Sequence, residues 1–401
     1  MGEAMTGLKR SHMCCDVSEE LIGSEVTVMG WVQRRRDLGQ LIFIALRDRT
    51  GLVQAVVDGN NSAPELFKKA ESVRSEYVLA IRGKVAPRTE GNVNKNMKTG
   101  AIEIIAEELR ILSESETTPF QVEDEITVKD DLRLKYRYID LRRPCQLKNM
   151  ILRHKTAQVI RNFLSDEGFL EIETPVLGKS TPEGARDYLV PSRVHPGSFY
   201  GLPQSPQLYK QLLMVSGMDR YYQIAKCFRD EDLRADRQPE FTQVDIEMSF
   251  VDQNDVMSEL EDVLASAFAK VGVDMPTPLR RLSYWDAMDT YGTDKPDTRY
   301  DMKLHDVTSI FTSSKFKLFA GAASTEGQYV KALNAKGAGA WPRAQIDKLA
   351  DVAAGFGAKG LAWIAFREDG SINSPIVKFF SDEEMAALRE EMDVVPGDLV
   401  M

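Results

Sequence analysis

The chain has 401 residues, a formal net charge of −10, 43% hydrophobic and 28% charged residues. That length exceeds one ordinary core, so two or three domains are expected, and the composition excludes a disordered chain. A net acidic chain has no general attraction for nucleic acid, so any RNA contact must come from a local basic patch. No apolar run approaches the roughly 18 residues of a membrane helix. Lys9, Arg10 and His12 interrupt what a signal peptide would need to keep apolar. Cys14, Cys15, Cys145 and Cys227 form no C-x-x-C pair, which points to free thiols in a reducing, cytoplasmic setting.

Along the chain, Glu25–Val32, Leu41–Leu46 and Leu52–Val57 read as short strands rich in β-branched and aromatic residues, with Gly39 and Asp48–Gly51 as turns. A helix is predicted over Ala63–Val73, then strands over Tyr77–Val85 and Ala101–Ile105. Five strands with a helix after the third suggest an OB-fold β-barrel, assigned to residues 1–113. Residues 114–130 read as a polar linker. In the next domain, 131–283, a long helix is predicted from Pro144 to Glu167, ended by Gly168. Another starts with Ser205 as N-cap and Pro206 at the first helical position. Residues 284–401, with Gly-Ala-rich stretches between short strand signals, read as a separate α+β module.

The segment Tyr221–Phe250 carries the most chemistry. Val244, Ile246 and Met248 alternate with Gln243, Asp245 and Glu247, so a strand would put an apolar set on one face and carboxylates and amides on the other. A solvated outer face is the ordinary reading of such a hairpin. Gln243, Asp245 and Glu247 are poor strand formers, however, and the charged tip is longer than a turn requires. A calcium loop is excluded, since Phe241 occupies its twelfth place and no glycine its sixth.

Phe228-Arg229-Asp230-Glu231 through Arg237-Gln238-Pro239-Glu240-Phe241-Thr242-Gln243 resembles the second signature motif of class II aminoacyl-tRNA synthetases. Gly168-Phe169-Leu170-Glu171-Ile172-Glu173-Thr174-Pro175 resembles the first, which builds the dimer interface of that class. Thr181–Pro191 and Leu202–Gln211 resemble the bacterial aspartate branch. The resemblance runs from the N-terminal domain to Met401. It implies a multidomain α+β protein: an OB-fold barrel, an antiparallel-sheet class II catalytic domain with motifs 1 and 2 only, and a bacterial inserted, GAD-like domain.

The activity so implied is ATP-dependent conversion of L-aspartate to aspartyl-adenylate and transfer to tRNA(Asp), by a homodimer joined through motif 1 and away from membranes. Arg229 is the expected catalytic residue, bridging the α-phosphate and the substrate carboxylate. A guanidinium suits this because its planar fork grips two oxyanions and stays charged. Asp230, Glu231, Gln238 and Phe241 are the further ATP contacts, Phe241 by stacking on adenine. Glu183, Gln207, Lys210, Arg229, Gln243 and Asp245 are the aspartate contacts, with Glu183 near the amino group and Lys210 and Asp245 at the side chain. On the barrel, Arg36, Phe43, Gln54 and Glu103 are carried over as anticodon contacts. Basic residues interleaved with an aromatic suit unstacked bases.

Nothing between Tyr284 and Met401 matches the third motif, its γ-phosphate arginine or the acidic magnesium ligands. No metal ligand is therefore assigned in this chain, and Mg2+ is expected to be held by residues further downstream. The chain is expected to be C-terminally truncated and inactive alone. Two other readings stay open: an asparagine or lysine enzyme of the same class, and a non-catalytic tRNA-binding or dimerising fragment.

Overall fold

The computed structural model describes all residues except Met1, Pro182, 233–236 and Asp301. They divide into two units, Met1–Thr277 and Pro278–Met401.

The first unit begins with a closed barrel. β1 (Glu25–Asp37), β2 (Leu41–Asp48), β3 (Gly51–Asp58), β4 (Val78–Pro87) and β5 (Ile102–Ser113) close in the order β1-β2-β3-β5-β4. α1 (Pro64–Ser72) lies between β3 and β4. Alternate residues point inward: Val26 and Val28, Ile42 and Ile44, Val53 and Ala55, Leu79 and Ile81, Ile102 and Ile104 are all buried in one cluster. Period-two alternation closed on itself leaves no strand edge. β1 and β4 pack so closely on their neighbours that a Cβ on Gly30 would lie 2.2 Å from the Arg47 carbonyl oxygen.

β1 and β5 run past their predicted ends. Arg34, Arg35 and Arg36 lie within β1, opposite Ala45, Ile44 and Phe43. Ladder pairing around the barrel outweighs the weak strand preference of arginine.

Residues 114–129 hold no helix or strand. They are nevertheless anchored: Phe120 and Val122 pack with Ile139 in a small core of their own. That core leads into α2 (Asp130–Lys135) and α3 (Arg137–Asp140). The fully buried Asp140 carboxylate receives Arg133 at 3.1 Å, Arg137 at 2.5 Å and Arg143 at 2.8 Å.

α4 (Pro144–Asp166) has the predicted proline at its start. β6 (Leu170–Glu171), β7 (Leu189–Pro191), β8 (Phe199–Gly201), α5 (Gln207–Val215), β9 (Arg220–Phe228), β10 (Glu240–Met248) and α6 (Gln253–Ala269) follow. β9 and β10 form the predicted antiparallel hairpin, and β6 adds to β9 in parallel. The sheet order is β10-β9-β6, so β10 is an edge strand among the described residues. Tyr222, Ile246 and Met248 on one face pack on Leu164 of α4 and Val263 of α6. α5 starts one residue later than predicted, capped by Pro206 with no side-chain bond. Ser205, the predicted cap, instead donates to Glu183 Oε2 at 3.2 Å.

The second unit contains α7 (Tyr284–Tyr291), β11 (Leu304–Asp306), α8 (Lys317–Ala323), β12 (Lys331–Ala335), α9 (Arg343–Gly355), β13 (Ile364–Phe366), β14 (Ile372–Asn373), α10 (Asp382–Glu391) and β15 (Leu399–Val400). Its sheet runs β11-β12-β15-β13-β14 over a core that includes Phe311, Ile364 and Leu388. Asp398, nearly inaccessible, ties the β12 end together through Asn334 at 3.1 Å and the Gly337 amide at 3.0 Å.

Candidate active site and nucleic-acid face

The register of the β9–β10 hairpin decides which side chains share a face. Gln243 opposes Ala225, Asp245 opposes Gln223, and Glu247 opposes Tyr221. Directly opposed residues point the same way, so the polar face is a row of Gln243, Asp245 and Glu247 backed by Gln223 and Tyr221. α5 covers this face and contributes one charge: Lys210 Nζ donates to Asp245 Oδ1 at 2.7 Å and lies 3.6 Å from Glu247 Oε2. Lys210 and Asp245 are both buried. An ammonium has three donors, so with Asp245 and Glu247 each facing one, one remains for a further acceptor. Asp245 Oδ2 and Arg229 Nε are buried without a hydrogen-bond partner among the described residues, which marks both as places where a polar ligand would relieve an orphaned group.

Burial, and then the charge of Asp245, push the Tyr221 phenol well above its ordinary range. The same two causes lift the Cys227 thiol to about 11, so Cys227 stays protonated and donates to Gln243 Oε1 at 3.3 Å. It is an inert part of the wall, not a nucleophile.

Arg229 stands just beyond the end of β9. Its backbone amide donates to the Pro239 carbonyl at 2.9 Å, and its guanidinium stacks on Phe241 at 5.1 Å. The cation and the ring thus occupy one patch. Asp230 is tied back by its amide to the Arg186 carbonyl at 3.0 Å. Glu231 is paired with Arg237 at 3.1 Å. Gln238 is exposed, between Arg237 and Pro239, and 233–236 of the hairpin tip lie outside the described residues.

Glu183 sits in the loop between β6 and β7, where Thr181 Oγ1 donates to Oε1 at 3.0 Å. The loop is anchored by a residue whose role sequence reasoning missed. Gln204, 4% exposed, donates to the Ala185 carbonyl at 2.8 Å and to Asp187 Oδ1 at 2.5 Å, and accepts from the Ala185 amide at 3.1 Å. Asp187 in turn accepts from Ser180 at 2.5 Å. Burial alone would raise the Asp187 carboxyl, but the bonds from Gln204 and Ser180 outweigh it and hold the group below the usual carboxylate range. The signal was present in the sequence as Leu202-Pro203-Gln204-Ser205, but nothing there tells which amide faces a loop. Gln207 is half-buried at the head of α5, one helical turn from Lys210.

The barrel carries a second constellation. Arg36 and Phe43 are register partners, and the guanidinium lies 5.5 Å from the ring centroid. Arg36 Nη2 donates to Gln54 Oε1 at 3.2 Å, and Gln54 Nε2 to Glu103 Oε2 at 2.9 Å. These four side chains line a cavity of about 1330 Å³, shared with Leu38 and Gly91. Among the described residues no group of three or more His, Cys, Asp or Glu is placed to hold a metal ion, and no helix is long and apolar enough to cross a membrane.

The chain matches the family "tRNA synthetases class II (D, K and N)" over residues 129–386 and "OB-fold nucleic acid binding domain" over 26–112. It is 56% identical over its whole length to the aspartate–tRNA(Asp/Asn) ligase of Lachnoclostridium phytofermentans and spans 67% of that protein. It is 54% identical to the enzyme of the same name from Halothermothrix orenii, again over its whole length, and covers 68% of it. Among solved structures, asparaginyl-tRNA synthetase of Pyrococcus horikoshii complexed with asparaginyl-adenylate aligns with a TM-score of 0.58 at 26% identity, covering 66% of this chain and 58% of that one. A barrel followed by a class II hairpin, together with this identity, settles the family: the chain belongs to the class II tRNA synthetases, in their aspartate–tRNA ligase branch.

Proposed function

We propose that this chain recognises L-aspartate and ATP for aspartyl-adenylate formation, and binds tRNA through its barrel, as an aspartate–tRNA ligase. The observation that carries this reading is the buried Lys210–Asp245 pair on the polar face of the hairpin, beside an Arg229 with an orphaned Nε. Lys210 offers its remaining donor to the aspartate side-chain carboxylate, a group that an asparagine amide replaces poorly. Arg229 bridges the aspartate α-carboxylate and the ATP α-phosphate, and so holds nucleophile and electrophile in line. Glu183 takes the amino group. Gln207 and Gln243 complete the aspartate pocket.

Phe241 stacks on adenine once Arg229 turns from its ring to the phosphate, while Asp230, Glu231 and Gln238 contact the rest of the nucleotide. Magnesium supplies charge neutralisation on the phosphates when bound. The described residues do not assemble a site for it.

Residues 1–113 act as the anticodon-binding domain, 114–130 as a linker, 131–283 as the catalytic domain and 284–401 as the inserted domain. Arg36 and Phe43 hold an unstacked base, and Gln54 and Glu103 read its edge. A homodimer through α4 and β6 would cover Met150, Ile151 and Leu170, apolar side chains left exposed here. The names of the L. phytofermentans and H. orenii relatives include both tRNA(Asp) and tRNA(Asn), which supports a barrel that accepts both anticodons.

Because β10 is an unpaired edge among the described residues and they gather no metal-binding cluster, we infer that residues 1–401 alone form half of an active site. Aspartate-dependent ATP–pyrophosphate exchange tests this. No exchange above background is expected from residues 1–401, whereas an aspartyl-adenylate analogue still binds. Failure of the analogue to bind would refute the pocket, and clear exchange would refute the half-site.

A further inference from the structure

We infer that Glu76 is a positioning residue that locks the barrel to the head of α4 through Arg142, so that one tRNA engages the barrel and the catalytic segment together. The inference rests on the barrel binding tRNA as proposed above.

Glu76 combines two features that stability alone does not favour. It is a non-glycine residue in the left-handed region, at φ 62°, and it is a carboxylate only 4% exposed. Left-handed backbone at such a residue persists only where its surroundings over-determine it. A buried ion cluster is in general no more stabilising than apolar residues of the same volume, and one established use of such clusters is to fix geometry.

The surroundings of Glu76 fit that use. Arg47 of β2 binds both carboxylate oxygens at 2.8 Å. Arg142, two residues before the start of α4, binds Oε2 at 2.8 Å from the other side and lies over the Trp31 ring of β1 at 5.0 Å. The Glu76 amide donates to the Val32 carbonyl at 2.8 Å. Arg47 also donates to Gln33, whose own amide reaches the Val122 carbonyl of the linker at 3.1 Å. The barrel and the segment leading into α4 therefore meet on one carboxylate, and the linker joins the same network through Gln33 and Arg47.

The linker and the head of α4 are tied to each other by Arg143, which donates to the Glu123 and Asp124 carbonyls at 2.8 and 2.9 Å, and by the Cys145 amide on Asp124 at 3.0 Å. The barrel meets that pair here through Arg142 and Gln33. Beside Glu76 lies a cavity of about 510 Å³ lined by Arg34, Arg35 and Arg74 as well as linker residues. The joint is polar and open, and its geometry depends on a few directed bonds. Two sites held at fixed separation gain avidity for a ligand that spans both, and a slack joint loses that gain without touching either site.

The test compares Arg142→Met with the parent chain. This variant leaves the Arg47–Glu76 pair of the barrel intact and keeps an apolar stem on Trp31. Glu76→Gln is the second variant, and circular-dichroism melts confirm that both fold. Affinity is measured for a whole tRNA(Asp) transcript and for a short hairpin RNA carrying only its anticodon arm. Hairpin affinity is expected to stay within about twofold, while the advantage of the whole tRNA over the hairpin falls about tenfold. An equal loss for both RNAs, or no loss for either, overturns the inference. If the parent chain binds neither RNA, the barrel reading itself fails. Hydrogen exchange then decides the joint independently: the bonded amides of Ile139, Asp140, Leu141 and Arg143 must lose protection in Arg142→Met while those of β2 and β3 keep it, and unchanged protection overturns the lock.

Discussion

The barrel and the β9–β10 sheet reach their function from opposite physical positions. The barrel closes on itself and buries alternate residues of all five strands in one cluster. Its candidate RNA face is then free to be polar, because the fold does not depend on it. Among the described residues the hairpin sheet has three strands, an unpaired β10 edge, and a core in which Leu164, Phe169, Tyr222 and Val263 are the buried members. On α6, Val256, Leu260, Leu264 and Phe268 recur every fourth residue and remain partly exposed. A site built on an edge strand needs further structure to complete it. A site built on the wall of a closed barrel does not.

The largest effect expected from this contrast concerns autonomy. A fragment of residues 1–113 should unfold cooperatively, whereas 131–277 should bind a hydrophobic dye and melt without a sharp transition. A cooperative melt of the second fragment would break the comparison. Next, Arg229→Ala should weaken binding of an aspartyl-adenylate analogue about 100-fold, since it removes the guanidinium proposed to bridge the two anionic groups. Titration calorimetry reads this, and hairpin-RNA binding should not change.

In the barrel core, Ile44→Ala should cost about 3 kcal/mol, read from urea melts. A polar face that is independent of the fold should behave otherwise, so substitution of the exposed Arg36 by alanine is expected to stay within about 1 kcal/mol while weakening RNA binding.

A smaller effect should show at acid pH. Burial alone would raise Asp48, but bonds from Thr50 and the Cys14 amide outweigh it and hold the carboxyl below its ordinary value of 3.8. A depressed carboxylate stabilises the fold above its unfolded pKa and loses that contribution as pH falls through the folded one. Asp48→Asn should therefore cost about 1–2 kcal/mol at pH 7, with the gap to the parent closing below about pH 4. A gap that persists at low pH would assign the cost to packing.

The legibility of the sequence follows the same division. Barrel strands declared themselves as short runs of β-branched and aromatic residues between turn signals, and the β9–β10 hairpin by the alternation Val244-Asp245-Ile246-Glu247-Met248, because one face must be dry. The convergence of Arg36, Phe43, Gln54 and Glu103 came from resemblance, since no local pattern ties β1 to β5. What stayed hidden depends on contacts between distant segments. Ser205 reads as a helix cap until Glu183 is seen beside it. Phe120 and Val122 lie in a stretch without period and are buried only because Ile139 returns over them. Glu76 looks like one more charged residue before a strand. The short strands of the second unit, two to five residues each, carry too few residues for a period to show.

In the proposed pocket Lys210, held by Asp245, selects an acidic side chain. That selection is tested most directly by titrating residues 1–401 with non-hydrolysable aspartyl- and asparaginyl-adenylate analogues, before and after Lys210→Met. The aspartyl form should bind the parent at least about tenfold more tightly, a difference of about 1.4 kcal/mol, and the substitution should erase that preference. Equal binding of the two analogues by the parent, or a preference that survives the loss of Lys210, would contradict it.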